Sequence, residues 1–446
     1  MSDFPHWPVR PTGSVFFVKG RIGWRNLRHS DFCENGPHLI TGMHIDSAGR
    51  IDWDSCFHIP KRKFDESPEI QVKVGDLVIT KDGTIGKVAR IDWLPGDTSL
   101  NAHLFLVRPI QPEFCSARFA FHVFTSAAFR NFIENQKSGS TLAGLGEAKF
   151  VRFQFPLPTI NEQELVSDVL DTLDIAIRET EALIEKLKAI KRGLTHDLLT
   201  RGIDSNGQLR PPHRDEPQLY KKSPLGWIPR EWEIEPIINL TSNSVIGPFG
   251  SDLIASDYRD SGVPVVFVRD VKPDQLIWKS NVFVSASKAQ ALAAHEVRAG
   301  DVVATKMGLP PCVAAVYPES MPCGIVTADI VRLRPCTDRI CPDWMSIFIN
   351  SSAVAKQVEQ ITAGVTRPKV TLRDVRDLLI GLPPIKEQER VLVRLTALQS
   401  RIQLEEASYK KLISEKSGLM DDLLTGRVRV TPLLESMQQA AAPTEA

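Results

Sequence analysis

Apolar residues recur in alternating steps of four and three along two stretches of the chain, residues 166–198 and 391–423. This spacing is the a/d seam of a coiled coil, and it predicts two amphipathic helices of about 38 residues each. A helix of that length needs a partner to bury its apolar stripe. Polar residues interrupt the two series at equivalent places, Thr180 and Lys191 in the first and Glu405 and Lys416 in the second.

The two helical stretches belong to an internal repeat. Residues 158–200 align with 383–425 without a gap (383 − 158 = 225), and 20 of the 43 aligned positions are identical. A long-period repeat predicts two copies of one structural unit, and two such copies close best with their helices antiparallel about a pseudo-twofold axis. The same offset pairs GDLVITKDG (75–83) with GDVVATKMG (300–308), SGST (138–141) with AGVT (363–366), and Trp7 with Trp232.

Between these landmarks the two copies differ. Short runs rich in Val, Ile and Leu at 70–110 and 295–335 predict strands, and the stretches that follow favour helix. The sequence therefore predicts an α+β fold, in which two mixed α/β domains are joined by two long antiparallel coiled-coil helices. The predicted segments are a first domain at 1–157, a central helix at 158–200, a linker at 201–228, a second domain at 229–382, a C-terminal helix at 383–427 and a flexible tail at 428–446.

Two glycines lie inside the predicted helices, where glycine costs about 1 kcal/mol relative to alanine. Close approach of another backbone would explain Gly193 and Gly418. The alternative is that they mark a fraying last turn.

A Glu-Gln-Glu triplet opens each predicted helix just after a proline. Acidic residues suit the positive end of the helix dipole, so the triplets could serve helix initiation alone. They could equally contact a partner subunit, and the two explanations stay open. The candidate partner-binding residues are Glu162, Gln163, Glu164, Glu387, Gln388 and Glu389.

Composition narrows the class of protein. The chain has 446 residues, with 42% hydrophobic and 24% charged, which fits two or three globular domains. No apolar run approaches the roughly 20 residues that span a bilayer, and the start lacks a signal peptide, so a cytoplasmic location is expected. The seven cysteines form no CxxC pair, which indicates reduced thiols and no metal site.

The formal net charge is zero, but the charge is segregated. No acid lies between Phe4 and Ser30, whereas acids gather in the helical segments. Nucleic-acid binding depends on local basic patches rather than on net charge. The DNA-binding candidates here are Lys19, Arg21, Arg25 and Arg28 in the acid-free stretch, and Lys61, Arg62 and Lys63 in a second cluster.

Two repeated loops add further candidates. Residues 80–87 (TKDGTIGK) lack the GxxxxGK[ST] pattern of a phosphate loop, and a β-turn is the simple explanation. The alternative is that Lys81, Thr84 and Lys87 reach a DNA backbone. The Gly-x-Thr loops offer amides and hydroxyls that suit phosphates or base edges. The remaining candidates are Ser140, Thr141, Arg269, Lys306, Thr366, Arg367 and Lys369.

No catalytic set can be assembled from the sequence. It has no NPPY-like or DPPY-like motif for adenine methylation, no glycine-rich cofactor loop, no HExxH and no helicase motif. Asp52 and Asp54 have no Glu-x-Lys nearby, which disfavours a nuclease centre. We expect a chain that is not itself an enzyme.

The order of these landmarks resembles the specificity subunit of type I restriction-modification systems. The resemblance covers essentially residues 1–427, with a GWIP-x-x-W re-entry at 226–232. It is specific in LPTINEQE, LPPIKEQE and DLLT, and weak in the variable domains. It implies two target recognition domains that read an asymmetric bipartite DNA sequence, with the helices as a ruler between the half-sites.

The resemblance also implies partners. Two modification subunits and, for cleavage, restriction subunits would carry S-adenosylmethionine, ATP and Mg²⁺, and this chain would hold no cofactor. A related function is a DNA-binding or scaffold subunit of another methylation-based phage-defence system. A methyltransferase or nuclease in its own right, and a coiled-coil scaffold that never touches DNA, are the other two classes.

Overall fold

A computed structural model gives the fold of the chain. No helix within the part that it describes has both the length and the apolar character needed to cross a bilayer. The described residues are 7–20, 31–137, 144–364 and 367–430.

The chain divides into two compact units. The first unit comprises Met1–Ala182 and Glu406–Ala446, and the second comprises Leu183–Glu405. Each unit therefore contains one globular domain and a part of both long helices.

The described residues of the first unit form nine strands and six helices in chain order. The strands are β1 (Val9–Pro11), β2 (Phe16–Gly20), β3 (Cys33–Ile40), β4 (Phe57–His58), β5 (Leu77–Thr80), β6 (Val88–Arg90), β7 (Thr98–Leu100), β8 (Leu104–Pro109) and β9 (Gln154–Pro156). The helices are α1 (Thr12–Val15), α2 (Lys61–Asp65), α3 (Ala117–Thr125), α4 (Ala127–Lys137), α5 (Glu147–Phe150) and α6 (Ile160–Thr200), which continues into the second unit.

An antiparallel sheet in the order β2-β8-β5-β6 forms the centre of the first unit. Leu77 and Ile79 of β5 pack with the aromatic residues of α3 and α4, whereas Val78 packs with Ile40 and Leu100 of the second sheet, β4-β3-β7. Strand β5 reads as an unbroken apolar run because both of its faces are buried.

In the second unit, the part of the chain that the structure describes forms fifteen strands and five further helices. The strands are β10 (Tyr220–Ser223), β11 (Gly226–Pro229), β12 (Glu233–Pro236), β13 (Thr241–Ile246), β14 (Tyr258–Arg259), β15 (Val263–Val266), β16 (Val271–Lys272), β17 (Gln275–Leu276), β18 (Phe283–Val284), β19 (Glu296–Val297), β20 (Val302–Thr305), β21 (Ala314–Val316), β22 (Gly324–Val326), β23 (Ile330–Pro335) and β24 (Leu379–Leu382). The helices are α7 (Ala286–Ala291), α8 (Pro342–Ile349), α9 (Ser352–Thr362), α10 (Leu372–Asp377) and α11 (Ile385–Leu423), which continues into the first unit.

The repeat in the sequence is a repeat in the fold. The second unit has a four-stranded sheet in the order β13-β23-β20-β21, whose strands are the repeat equivalents of β2, β8, β5 and β6. Beside it lies a sheet of five strands, β14-β18-β15-β22-β19, where the first unit has three. A parallel pair stands in both of these sheets, β3 with β7 and β15 with β22. The central sheet is therefore shared, and the outer sheet varies.

The predicted antiparallel helix pairing is confirmed in each unit. In the first unit, Leu170 near the start of α6 shares a core with Leu423 at the end of α11. In the second unit, Leu198 near the end of α6 packs with Val391 and Leu395 near the start of α11. All twenty heptad positions lie in the described part of the chain, and each is buried or half-buried.

The two lysines that interrupt the heptads bridge the helices. Lys416 Nζ donates to Asp174 Oδ1 at 2.5 Å within the first unit. Lys191 Nζ donates to Gln399 Oε1 at 2.7 Å within the second unit. Asp174 and Gln399 are also repeat equivalents (399 − 174 = 225). Polar residues at such seam positions fix the register of paired helices at some cost in stability.

The two helical glycines have no packing explanation. A Cβ added at Gly193 or Gly418 would meet no atom within 4 Å. The prediction that another backbone approaches these glycines closely is therefore wrong. The helices continue to Thr200 and Leu423, so neither glycine marks a frayed last turn.

The segment predicted as a linker, 201–228, is ordered. An isolated bridge pairs Ile203 with Leu209, and strand β10 pairs with β11. Arg210 in this segment is buried. Its proline and glycine content reflects tight turns, such as that at Gly202 with its φ of 61°, rather than a flexible tether.

Candidate nucleic-acid interface

The predicted basic loop at 80–87 is a closed turn between β5 and β6. Thr80 Oγ1 donates to the Thr84 carbonyl at 2.5 Å and accepts from the Lys87 amide at 2.9 Å. The Lys87 ammonium donates to the carbonyl oxygens of Gly42 and Ile45. Lys87 therefore braces the loop from within, whereas Thr84 lies exposed at its tip.

In each copy the hairpin loop at 80–87 or 305–312 is bonded to a described segment that follows the Gly-x-Thr motif. We call 80–87 and 305–312, with 144–145 and 367–370 beside them, the landmark loops. The Leu145 amide, just after the first Gly-x-Thr loop, donates to the Lys81 carbonyl at 2.8 Å. The Val370 amide donates to the Lys306 carbonyl at 2.9 Å in the second unit. These are equivalent bonds, since 370 − 145 and 306 − 81 both equal 225. Segments about 60 residues apart in sequence thus lie side by side in each unit.

A cavity of about 580 Å³ opens beside this loop in the first unit. The rings of Phe32 and Phe57 form part of its wall and stack with centroids 4.8 Å apart. Asp82 and His103 supply polar lining, with His103 Nδ1 3.3 Å from Asp82 Oδ2. The sequence did not predict this cavity, because residues far apart in the chain line it.

In the second unit the equivalent loop holds its lysine differently. Lys306 is buried, and its Nζ donates to the Ala328 carbonyl at 3.1 Å. Burial and then the neighbouring Lys369 lower the pKa of Lys306 from its ordinary value. Lys369 lies 3.6 Å from Asp329 and remains half exposed, and Arg367 is exposed. The outward-facing charge at this loop therefore comes from Arg367 and Lys369.

Several other basic candidates are paired within the chain. Arg269 lies 4.5 Å from the ring of Phe267, and its Nε donates to Ser280 Oγ. The predicted cluster at 61–63 forms helix α2, so its charges lie beside acids rather than in an isolated patch. The pairs are Lys19 with Glu147 at 2.9 Å, Lys61 with Asp97 at 2.7 Å, Lys63 with Glu66 at 3.2 Å and Arg62 with Glu66 at 3.7 Å.

Six candidates fall outside the described residues, so their place in the interface stays a prediction. They are Arg21, Arg25, Arg28, Ser140, Thr141 and Thr366.

The glutamine of each Glu-Gln-Glu triplet fastens the helix to its own domain. Gln163 accepts from the Ser116 amide and donates to the Phe114 carbonyl, both at 2.8 Å. Gln388 accepts from the Cys341 amide at 2.9 Å and donates to the Arg339 carbonyl at 3.1 Å. Both glutamine side chains are fully buried. A partner-binding role for Gln163 and Gln388 is therefore wrong, because no face of either is open to a partner.

The first glutamate of the second triplet is held in a buried cluster. Glu387 accepts two hydrogen bonds from Arg210, at 2.6 and 3.0 Å, and one from Trp232 Nε1 at 3.2 Å. The Ile203 amide donates to the same carboxylate at 2.9 Å. The chain that follows helix α6 thus closes over the start of α11. We call Glu387, Arg210 and Trp232 the second clasp.

The first unit has an equivalent cluster of Glu162, Arg429 and Trp7, which we call the first clasp. Glu162 accepts from Arg429 Nε at 2.9 Å, and the Arg429 guanidinium lies 4.8 Å from the ring of Trp7. The predicted partner-binding role of Glu162 and Glu387 is not supported, since both residues are buried and their carboxylates are hydrogen-bonded within the chain. The third residues of the triplets lie closer to the surface. Glu164 pairs with Arg118 at 2.8 Å and Glu389 is exposed, and their partner role stays a prediction.

The repeated Gly-Asp landmark also has a structural role. Arg108 Nε donates to Asp76 Oδ1 at 2.6 Å, and Arg334 Nε donates to Asp301 Oδ1 at 2.8 Å. Both aspartates are buried beside the central sheet. A buried carboxylate needs such a partner, which explains why the landmark matches across the repeat.

A buried histidine joins the first domain to the long helices. His122 of α3 lies 2.8 Å from Asp171 of α6, and Asp174 lies close enough to complete a group of three possible metal ligands. Arg118 and Lys416 already pair with these carboxylates, so the group acts as an ion-pair network. Burial lowers the pKa of His122, and the neutral ring donates to Asp171 from Nε2.

Sequence reasoning missed the arginines of both clasps. Arg210 lies in the predicted linker and Arg429 in the predicted tail, two segments whose composition suggested little structure. The usable signal was the match of Trp7 with Trp232 across the repeat, since tryptophans at equivalent places imply equivalent partners.

Comparisons with known proteins identify this architecture. Residues 9–189 match the family described as type I restriction modification DNA specificity domain. The putative type I restriction enzyme MjaX specificity subunit of Methanocaldococcus jannaschii is 22% identical over 404 residues, covering 88% of this chain and 87% of that protein. The EcoKI specificity subunit of Escherichia coli K12 is 22% identical over 440 residues, covering 95% and 88%.

Two solved structures share the fold. One, from a study of complex assembly in a type I R-M system, has a TM-score of 0.58 at 16% identity and covers 95% of this chain and 99% of its own. The type I S subunit from M. genitalium has a TM-score of 0.55 at 12% identity, covering 95% and 97%. They confirm the predicted α+β fold with two long helices. The recognition made from the sequence is confirmed: residues 9–189 match the type I specificity domain family, and the chain is similar over most of its length to specificity subunits of type I restriction enzymes.

Proposed function

We propose that this chain reads an asymmetric, bipartite DNA sequence, one half-site with each unit, and directs adenine methylation and cleavage by partner subunits. One observation carries the proposal. Both units place their landmark loops at the edge of the same central sheet and hold them with equivalent hydrogen bonds, yet the residues at those loops differ. A shared scaffold with different reading loops suits two different half-sites.

The chain itself would position DNA without performing chemistry. Two modification subunits would methylate the target adenines, which must leave the base stack to be reached, and restriction subunits would cleave. S-adenosylmethionine, ATP and Mg²⁺ would be bound by those partners. The complex would act in the cytoplasm, with its DNA.

The DNA contacts are proposed at the landmark loops. Thr84 in the first unit, and Arg367 and Lys369 in the second, present donors outward from an anchored loop. Basic side chains and hydroxyls of this kind bind phosphates and set the register of a protein on a duplex. Lys87 and Lys306 support these loops from within, so we assign them to loop stability.

The partner surface is proposed along the outer faces of the long helices. The heptad seam is turned inward, but several apolar side chains outside it are exposed. Lone exposed apolar residues are ordinary, but three on each long helix are not, so these residues suit docking of modification subunits. They are Ile175, Leu183 and Ile190 of α6, and Val393, Leu404 and Ile413 of α11.

Methylation sequencing of a host that carries the complete system tests the proposal. Replacing 1–157 by the corresponding part of a relative should change one half of the methylated motif and leave the other half intact. Replacing 229–382 is the matched control and should change only the other half. If either exchange alters both halves, or neither, separate reading by the two units is refuted.

The ruler role has its own test. Inserting one heptad in each helix adds about 10 Å along the pair, the length of roughly three base pairs. The untouched gap between the half-sites should lengthen accordingly, and an unchanged motif would contradict a ruler. The alternative is a coiled-coil scaffold that never touches DNA. A DNA-binding assay at two salt concentrations separates the two, because phosphate contacts make affinity fall steeply as salt rises, and a flat response would contradict those contacts.

A further inference from the structure

The tip of the β20–β21 hairpin in the second unit carries exposed apolar side chains. Met307 is 39% exposed and Leu309 is 88% exposed. Phe249, which is 63% exposed, lies near the start of the hairpin, with Lys306 Nζ 5.7 Å from its ring centroid. Single exposed apolar residues are ordinary, but neighbouring ones indicate a surface that something covers. We call Phe249, Met307 and Leu309 the apolar tip.

Hydrogen bonds anchor this hairpin at its base. The Thr305 amide donates to the Val313 carbonyl at 2.9 Å, and the Cys312 amide donates to the Thr305 carbonyl at 2.8 Å. A bridge pairs Met307 with Lys369. The apolar tip is therefore presented on a fixed support, which reduces the entropy lost when it enters a partner.

The charges around the apolar tip suit nucleic acid. Arg367 and Lys369 are exposed beside it, and Asp329 offsets only one of them. The hairpin is also the repeat equivalent of the polar loop 80–87, so Met307 and Leu309 stand where the first unit has Asp82 and Thr84. The same place on the scaffold is thus polar in one unit and apolar in the other.

We propose that the apolar tip is a wedge that enters between two stacked base pairs of the half-site read by the second unit. This inference deepens the proposed function and rests on it. Proteins that deform DNA insert Phe, Leu or Met between base steps while flanking cations hold the phosphates. Because pyrimidine–purine steps unstack most easily, the half-site contains such a step at the place of insertion.

A protein partner is the less suitable occupant. The exposed apolar residues on the long helices already provide the surface that we propose for partner subunits. The apolar tip, in contrast, lies at a landmark loop beside two cations, where phosphates would be drawn.

Fluorescence of 2-aminopurine tests the wedge, because this base brightens when it unstacks. The probe is the methylated motif as a duplex bound by the assembled complex, with 2-aminopurine replacing in turn each adenine in and beside the second unit's half-site, on either strand, other than the target adenine. One step should brighten with the unaltered chain. Leu309→Ala should abolish that rise and weaken specific binding about tenfold, and Leu309→Met should restore both.

Two controls separate the wedge from other effects. Ile238→Ala removes another exposed apolar side chain of the same unit and should change nothing. Lys369→Ala should lower the slope of log affinity against log salt by about 1, whereas Leu309→Ala should leave that slope unchanged. Non-specific duplex should bind Leu309→Ala and the unaltered chain equally.

The outcomes are distinguishable. Uniform fluorescence at every position with full specific affinity for Leu309→Ala overturns the wedge and leaves the proposed function intact. Loss of modification-subunit binding by Leu309→Ala without DNA would make the apolar tip a protein contact and also overturn the wedge. If the unaltered complex and the Ile238→Ala complex both bind the motif no more tightly than non-specific duplex, the proposed function itself fails.

Discussion

The two units share a scaffold but differ in how the domain rests on the long helices. In the first unit, Arg118 of α3 bonds Glu164, Asp168 and Asp171 of α6, and buried His122 donates to the last of these. The second unit has no such set at these places. The repeat offset puts Asp343, Ile347, Val393 and Thr396 at the positions of Arg118, His122, Asp168 and Asp171.

This difference separates the contacts that hold the shared scaffold from those that are specific to one domain. The clasps, the buried glutamines and the Asp-Arg pairs beside the sheet occur in both units, so they hold the path of the chain. The ionic network of Arg118 and His122 belongs to one unit alone. We therefore expect changes to shared features to affect both units, and acid or salt to affect mainly the first.

The largest effect is expected at the second clasp. Glu387→Ala leaves the buried guanidinium of Arg210 without its main partner, and removing one member of a buried pair costs about 3–5 kcal/mol. The free energy of unfolding, measured in urea, should fall by that order. Glu162→Ala should lower the free energy of unfolding by less, because its ion pair is less buried. The Arg429 and Glu162 side chains are 17% and 12% exposed, against 7% and 9% for Arg210 and Glu387.

Glu389→Ala is the matched control for this loss. It changes a glutamate of the same triplet that is exposed, so its effect should stay within about 0.5 kcal/mol. Equal losses for Glu387→Ala and Glu389→Ala would show that the clasp does not stabilise the unit.

Acid should loosen the first unit before the second. Burial holds the pKa of His122 below its ordinary value, so the unfolded chain binds more protons as pH falls through about 6.5. Stability is thus complete above that pH and declines below it, by up to about 1.4 kcal/mol per pH unit, until the folded pKa is reached. Asp171, whose pKa is lowered, stays ionised over this window.

Hydrogen exchange can read both units in one sample. Between pH 7.5 and 5.5, after correction for intrinsic exchange, peptides of α3 should lose protection while those of α8 do not. His122→Gln keeps a donor for Asp171 but cannot titrate, so it should reduce the loss. His38 and His44, whose pKa values burial also lowers, would account for what remains in the first unit. Equal loss in α3 and α8 would contradict the comparison.

The helical glycines should give equal effects in the two units. Gly193→Ala and Gly418→Ala each add a Cβ in open space, so each should raise the free energy of unfolding by about 1 kcal/mol. Gly202→Ala is the contrasting control, since its φ of 61° and the crowding of Glu387 and Trp232 make it destabilising. Thermal unfolding of the three variants measures these changes, and unequal effects of Gly193→Ala and Gly418→Ala would contradict the expectation.

The sequence predicted the fold well because its strongest signals are periodic. Heptad spacing and a gap-free repeat define the two helices to within a few residues, and Ile160–Thr200 and Ile385–Leu423 are their observed bounds. The landmark loops were also found, because they match across the repeat. Both signals can be read from the order of residues alone, without knowledge of tertiary contacts.

The site was harder, because side-chain partners come from far along the chain. Lys87 and Lys306 look like phosphate ligands in the sequence, and only their contacts with Gly42 and Ala328 assign them to loop support. Glu387 looks like a partner contact until Arg210 is placed against it. Residue identity gives the chemistry of a group, but its availability depends on tertiary contacts.

The smallest expected effect is at the two lysines that bridge the helices, where the comparison is closest. Lys416 faces Asp174, a charge, whereas Lys191 faces Gln399, a neutral amide. Asp174→Gln should cost the first unit about 0.5 kcal/mol, since the pair is partly exposed, and the loss should vanish near 1 M salt. The reciprocal Gln399→Asp should stabilise the second unit by a similar amount at low salt. Thermal unfolding at low and high salt measures both, and a loss that persists at high salt would mean that shape at the seam matters rather than charge.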